Sequence, residues 1–186
     1  LDKSMRKTNY NYLDGTAQSD AYWLRGAAEY KLSPQWSFKN EASYYTADRG
    51  WYDAEYFGFN AGLIDRSPTI ITHDHAFWSD RASLSFDGIV GGIRNRFTGG
   101  VEYIETDFNT KRHFAGSRPV DPFNPDRGYF PVDNAANFDD GRNTFTTSYG
   151  TTGVFLENAL NITPAWLLLG GLRYEYIDLD RQVRDD

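Results

Sequence analysis

Residues 21–47 read AYWLRGAAEYKLSPQWSFKNEASYYTA, two alternating runs joined at a proline, and residues 145–178 repeat the plan. The two turns correspond: Leu32-Ser33-Pro34-Gln35-Trp36 and Ile162-Thr163-Pro164-Ala165-Trp166. In the first run the even positions are Tyr22, Leu24, Gly26, Ala28, Tyr30 and Leu32, and the odd ones are Trp23, Arg25, Ala27, Glu29 and Lys31. This is the period of two that a β-strand requires. The same parity continues past the turn, with Trp36, Phe38, Ala42 and Tyr44 opposite Ser37, Lys39, Glu41 and Ser43. An apolar face rimmed with aromatics and backed by a charged face suits a sheet with lipid on one side and water on the other.

Composition agrees with a β protein and conceals the membrane. The mean hydropathy is -0.63, and the longest uncharged apolar run, 166–172, is far too short for a transmembrane helix. A closed barrel is the other structure that spans a bilayer, and its strands escape hydropathy windows because every second residue is polar. The chain has 13 Tyr, 13 Phe and 5 Trp, more rings than a soluble core of this size needs. The absence of Cys excludes a disulfide framework and a thiolate metal site. A net charge of -7 argues against a nucleic-acid partner, which wants a basic face. Leu1-Asp2-Lys3-Ser4 opens without the apolar segment of a signal peptide, so the chain reads as an internal piece of a longer one.

Period-two patterning predicts six strands at about 21–32, 36–47, 75–86, 93–106, 145–162 and 166–178. The third sets Trp78, Ala82, Leu84 and Phe86 against Ser79, Arg81, Ser83 and Ser85; the fourth sets Ile93, Phe97, Gly99, Val101 and Tyr103 against Arg94, Arg96, Thr98 and Glu102. The last two put Val154, Leu156, Leu160, Ile162, Trp166, Leu168, Leu172, Tyr174 and Tyr176 on the apolar face. Three links are short (33–35, 87–92 and 163–165) and two are long, about 48–73 and 107–144, with a further polar arm at 1–19. Short turns on one rim and long loops on the other describe an up-and-down outer-membrane barrel, periplasmic on the short side and extracellular on the long side. Trp36 and Trp166 then fall at the periplasmic interface, where amphipathic rings are favoured. Asn40, Asp80, Asn95 and Asn158 interrupt the apolar face; Asp80, near mid-bilayer, predicts either a β-bulge or a strand whose lipid contact begins lower.

The stretch 152–160, Thr-Gly-Val-Phe-Leu-Glu-Asn-Ala-Leu, followed by 163–176 with its closing Gly170-Gly171-Leu172-Arg173-Tyr174, resembles the mid-barrel hairpin of TonB-dependent siderophore receptors. That hairpin runs roughly Gly-hydrophobe-Tyr-hydrophobe-Gln-Asp, a turn, and a strand closing on Gly-hydrophobe-Arg-Tyr; here Phe155 stands for the Tyr and Glu157-Asn158 for Gln-Asp. Gly99-Gly100-Val101-Glu102-Tyr103 is similar to another family element. The resemblance implies a barrel of about 22 strands holding a plug, seated in outer-membrane lipid and importing a ferric siderophore with energy passed by TonB. The whole chain, 1–186, is then part of one barrel domain. The plug and remaining strands would be supplied by the parent chain, and the siderophore is transported ligand, with no cofactor bound directly.

Ligand-contacting residues on that resemblance are expected in the long loops. The first carries Arg49, Trp51, Tyr52, Tyr56, Phe57 and Phe59, rings that either line a vestibule and stack on a chelate or form the loop's own small core. The second carries Lys111, Arg112, His113, Arg118, Arg127, Tyr129 and Phe130, a cationic and aromatic group suited to an anionic chelate. Its rival is an exposed loop neutralised by Asp121, Asp126 and Asp133. His73-Asp74-His75 places two imidazoles on one strand face, but no further ligand is evident for a metal. Asp139-Asp140-Gly141 lacks EF-hand spacing and reads as a turn. No Gly-x-Ser-x-Gly elbow or other nucleophile and base pair points to an enzyme. Two alternatives remain: another outer-membrane barrel such as a porin, and a soluble β-sandwich carbohydrate-binding module with a second sheet on the apolar face.

Overall fold

The computed structural model describes residues 2–185. Six antiparallel strands, β1 (Thr16–Lys31), β2 (Trp36–Asn60), β3 (Leu63–Val90), β4 (Ile93–Phe114), β5 (Arg142–Thr163) and β6 (Trp166–Asp185), form one sheet in the order β1-β2-β3-β4-β5-β6. Every neighbour in sequence is a neighbour in space, as an up-and-down wall requires. A short 3-10 turn, Lys3–Lys7, lies in the arm before β1.

The two proline turns close in the same way. Ser33 Oγ accepts from the backbone N–H of Gln35 and Trp36 at 3.2 and 3.1 Å, and Thr163 Oγ1 accepts from Ala165 and Trp166 at 3.3 and 3.1 Å. The hydroxyl before each proline therefore satisfies the turn's donors while the ring fixes φ. The third short link needs two consecutive positive φ values and meets them with Gly91 and Gly92.

The strands run much farther than the alternation suggested. The segment 48–73, expected as a loop, is the upper half of the β2–β3 hairpin and turns at Ala61-Gly62, both at positive φ. β4 likewise continues to Phe114, which confines the irregular connection to 115–141. Side chains of both faces in these extensions meet neighbours, so a strict apolar and polar alternation is lost although the hydrogen-bond ladder continues. Of the two readings of Asp80, the β-bulge is absent. Pairing is unbroken there, with Asp80 opposite Ala42 and Tyr103, and register shifts occur instead at Tyr56/Gly58 and Asn161/Thr163.

The sheet curves. Odd positions of β2 and β3 and even positions of β4 form the more enclosed, concave face, while the aromatic-rimmed parity is convex and open. On the convex face a lower girdle of Tyr30, Trp36, Phe86 and Trp166 faces an upper one of Tyr44, Trp78, Tyr103 and Tyr176. Trp36 meets Phe86 at 4.9 Å, Trp78 meets Tyr103 at 5.1 Å, and the Trp78 indole donates to Glu105 at 3.0 Å. Above the upper girdle Asp20, Asp48 and Asp74 stand directly across from one another. From Trp36 to Asp48 is roughly 40 Å of strand, or about 30 Å of height at a barrel's tilt, the thickness of a bilayer's hydrocarbon. The carboxylate row therefore marks the outer limit of the lipid band.

The concave face below this level is polar and cross-linked. Arg173 donates to Glu102 at 2.5 Å and to Glu175 at 2.8 Å. Phe155 lies over β4 where Gly100 leaves room, with the Arg81 guanidinium 4.2 Å from its ring centre. A Cβ at Gly100 would stand 2.6 Å from that ring and closer still to the Ala82 carbonyl oxygen.

Candidate functional site

At the outer edge of the lipid band and above it the two faces of the sheet carry different chemistry. On the concave face a ladder of rings crosses four strands: Trp23 on β1, Tyr45 and Trp51 on β2, His73, His75 and Phe77 on β3, and Phe108 on β4. Tyr45 stacks on Phe77 at 5.3 Å and meets the edges of Trp23 and His75 at 6.3 and 5.7 Å. His75 and His73 contact Phe108 at 5.7 and 5.1 Å, and His73 packs against Trp51 at 4.9 Å. Such pairs each contribute about 0.5–1.5 kcal/mol beyond their buried area, so the rings form a preorganised wall. Arg49 donates to the Tyr45 hydroxyl at 2.5 Å, and Arg112 and Arg181 flank Phe145 farther along the same face.

His73 lies just above the carboxylate row. Burial depresses its pKa below the ordinary imidazole value, and the Arg112 and Arg49 charges push it further the same way. This favours the neutral ring, and among the described residues its buried Nε2 has no hydrogen-bond partner. His73 and His75 do share a face, but among the described residues no group of three or more His, Cys, Asp or Glu is placed to hold a metal ion.

The convex face of the same extensions is covered by chain. Residues 115–120 run beside the tip of β3, with Ala115 N donating to Pro68 O at 3.1 Å and Ile64 and Val120 exchanging backbone bonds at 2.9 Å. The buried Arg66 guanidinium clamps this layer, donating to the carbonyls of Tyr10, Arg118, Asp126 and Arg127. Arg127 in turn donates to the carbonyls of Asn11 and Tyr12 at 2.6 and 2.8 Å. Beneath lies a small core of Ile70, Ala115 and Phe138 with Tyr52 and Phe130 packed against it. Asp133 accepts from His113 at 2.8 Å and Arg142 at 2.9 Å, with Lys111 at 3.6 Å. Burial raises the Asp133 pKa, and the bonds from His113 and Arg142 with the charges of His113 and Lys111 lower it by more, for a net shift down.

The residues expected in the loops are thus divided. Arg49 and Trp51 belong to the concave ladder. Tyr52, His113, Arg118, Arg127 and Phe130 are components of the convex clasp. Tyr56 meets Tyr10 at 6.3 Å and, with Phe59, borders an apolar groove beside the first arm; Phe57 and Tyr129 are exposed. Tyr45, Phe77 and Phe108 were not anticipated, Arg112 was expected in the second loop, and His73 and His75 had been considered only as a metal pair. Continuing the period-two count of β2 beyond residue 47 would have put Arg49 and Trp51 in line with Tyr45. A cavity of about 870 Å³ lies elsewhere, in the lower trough between Glu29, Lys31, Ser85, Arg96 and Glu157.

A curved up-and-down sheet with two aromatic girdles, a polar concave side and long upper extensions is the wall of a transmembrane β-barrel. A sequence model of the family described as TonB dependent receptor-like, beta-barrel, matches residues 2–186, and the chain belongs to that family. Barrels of this family are outer-membrane receptors and transporters, not enzymes. No curated protein matches the chain in sequence. Among solved structures it resembles BauA, the ferric preacinetobactin receptor from Acinetobacter baumannii, at 14% identity and a TM-score of 0.77, over 92% of this chain and 27% of that one. It also resembles Fiu, the ferric-catecholate import receptor from E. coli K12, at 13% identity and a TM-score of 0.78, over 94% of this chain and 28% of that one. The chain therefore spans about a quarter of the length of these receptors. The β-sandwich alternative falls with the fold, since no second sheet covers the convex face among the described residues, and the family match displaces the plain porin.

Proposed function

We propose that this chain is part of the wall of an outer-membrane receptor that binds a ferric siderophore on its concave face and imports it with energy transmitted through TonB. The observation that carries the proposal is the ladder of Trp51, His73, His75, Phe77 and Phe108 with Arg49 and Arg112 beside it, which crosses the outer edge of the lipid band on the concave face. Flat rings offer stacking surfaces, and unneutralised guanidinium groups attract a chelate that carries negative charge. An aromatic, anionic ferric chelate fits this wall best; the catecholate named for one structural neighbour supports the same chemistry. The 870 Å³ trough is less suited to it, because acidic and basic residues alternate there. We assign that lower surface to contact with the receptor's plug.

The test is equilibrium binding of ferric chelates to the full-length receptor in detergent, read by intrinsic Trp fluorescence. Trp51→Ala combined with Phe108→Ala is expected to weaken binding of an aryl chelate by roughly tenfold or more, from about 1 kcal/mol for each ring removed. Tyr52→Ala, on the opposite face, should leave affinity nearly unchanged. Equal losses from the two faces would refute the assignment.

A further inference from the structure

The outer clasp gathers positive charge that its own carboxylates leave unpaired. Beside the tip of β3 a cavity of about 400 Å³ is lined by Tyr12, Arg66, Arg118, Arg127 and Tyr129, and the exposed Asp121 and Asp126 also border it. Arg66 is 3% exposed, and all its bonds go to backbone carbonyls, which satisfy N–H groups but bring no net charge. Among the described residues none of the three guanidinium groups forms an ion pair. Asp121 turns instead to its own loop, accepting from the N–H groups of Phe123 and Asn124 at 2.7 and 2.8 Å. A buried cation is ordinarily matched by an anion, and the chain supplies none here.

Donors to hold one are present. Arg127 commits Nε and Nη2 to the carbonyls of Asn11 and Tyr12 and leaves Nη1 unbound; Arg118 commits only Nη2, at 3.5 Å, to that of Asn137. Both side chains are half-buried in the cavity wall. Tyr12 brings a further donor to the same wall, since it is 4% exposed and its hydroxyl has no partner among the described residues. Burial raises the Tyr12 pKa while the charges of Arg66 and Arg118 draw it down, so both guanidinium groups act at that side chain. Guanidinium forks match the oxygens of a phosphate. A phosphate monoester carries about -1.5 to -2 charge at neutral pH, closer to balancing three cations than the single charge of a carboxylate.

We propose that this cavity is a binding site for a phosphate monoester, held by Arg118 and Arg127 with the buried charge of Arg66 behind them. It is distinct from the concave ladder, because Arg66 lies on the convex parity of β3 on the side away from the lumen. Arg66 stands eight residues beyond Asp74 along that strand, roughly 26 Å of chain and about 20 Å of height at a barrel's tilt. A lipid's own headgroup phosphate ends below that level; a phosphate free in solution or carried on a saccharide reaches it. Arg127 already ties the first arm at Asn11 and Tyr12 to the connection 115–141. An anion between Arg118 and Arg127 therefore tightens the clasp as it binds.

The experiment is hydrogen exchange of the full-length receptor in detergent, in buffer free of phosphate and sulfate. Added inorganic phosphate should slow exchange at 10–14 and 118–129 saturably, whereas chloride at matched ionic strength should not. Arg118→Gln should raise the phosphate concentration for half-protection about tenfold, through loss of one charged donor group. The clasp should survive that change, since the side chain makes a single long bond to the chain; limited proteolysis without phosphate checks this. A second arm uses phosphatidylcholine nanodiscs with and without a glycolipid that bears a phosphorylated saccharide. Protection by inorganic phosphate assigns a free anion, protection by the glycolipid alone assigns a membrane-borne one, and either supports the site. No saturable protection from either probe overturns it, as does an equal effect of chloride or an unchanged half-protection in Arg118→Gln. If that variant opens the clasp, Arg118→Lys, which keeps the charge but not the fork, replaces it with the same two outcomes.

Discussion

Replacing Gly100 with Ala adds one methyl group to the concave face of β4 and should destabilise the wall more than any comparable change at an open glycine. The new Cβ would stand 2.6 Å from the Phe155 ring and closer still to the Ala82 carbonyl oxygen. Neither obstacle yields easily. The carbonyl belongs to the β3–β4 ladder, and the ring is almost wholly buried beneath Arg81. Overpacking of this kind costs typically about 1–3 kcal/mol, and the backbone obstacle puts the expectation in the upper half of that range. Gly170→Ala is the control, since a Cβ there meets nothing within 4 Å. Equilibrium unfolding of the full-length receptor in detergent, followed by the loss of its unheated gel mobility, measures both. Adding Phe155→Leu to Gly100→Ala should recover only part of the loss, because the carbonyl contact remains. Equal stability of Gly100→Ala and Gly170→Ala would refute the packing argument, and full recovery by Phe155→Leu would refute the role given to the carbonyl.

Further expectations concern the upper extensions and the two proline turns. Arg66→Met should free the layer over the β2–β3 tip, because the guanidinium holds four backbone carbonyls and each bond to a charged donor is worth about 1.5–3 kcal/mol; limited proteolysis should then cut within 121–130 while the strands stay intact, and an unchanged cleavage pattern would sink the clamp. The Asp133 pKa is depressed in the folded protein, so its contribution to loop stability is fully present above the ordinary value of 3.8 and is lost as pH falls through the lower folded value. Hydrogen exchange across 115–141 should accordingly quicken only under strongly acid conditions, and Asp133→Asn should remove that acid dependence. Removing the hydroxyl at either proline turn, by Ser33→Ala or Thr163→Val, should destabilise by about 1 kcal/mol, since each hydroxyl receives two backbone donors; a stability loss at only one of them would show the turns to be inequivalent.

How far alternation can be followed decided what was legible. In the lipid band each strand has hydrocarbon on one side and a polar interior on the other, so Tyr22 to Leu32, Trp36 to Tyr44 and Trp166 to Tyr176 announce their faces residue by residue. The six strands, their order and the short rim follow from that pattern. Above the band both faces of β2 and β3 are covered or wet, and Arg49-Gly50-Trp51-Tyr52-Asp53 carries no alternation although its ladder is regular. Hence the extensions looked like loops, and Trp51 and Tyr52, adjacent in sequence, went to one candidate site although they point to opposite faces.

A membrane-spanning β wall, its short rim and its family could be read from residues one at a time, because solvent contrast across a two-faced strand is written in single positions. Which rings act together could not. The ladder joins residues from four strands whose register depends on turns and bulges far from it, and the clasp brings Tyr10, Arg66 and Arg127 together from segments more than fifty residues apart in the chain. Strand pairing likewise excluded one of the two readings of Asp80, the bulge, and placed it in a hydrogen-bonded pair, because whether a carboxylate finds Asn40 depends on the register between β2 and β3 and not on its own neighbours in the chain.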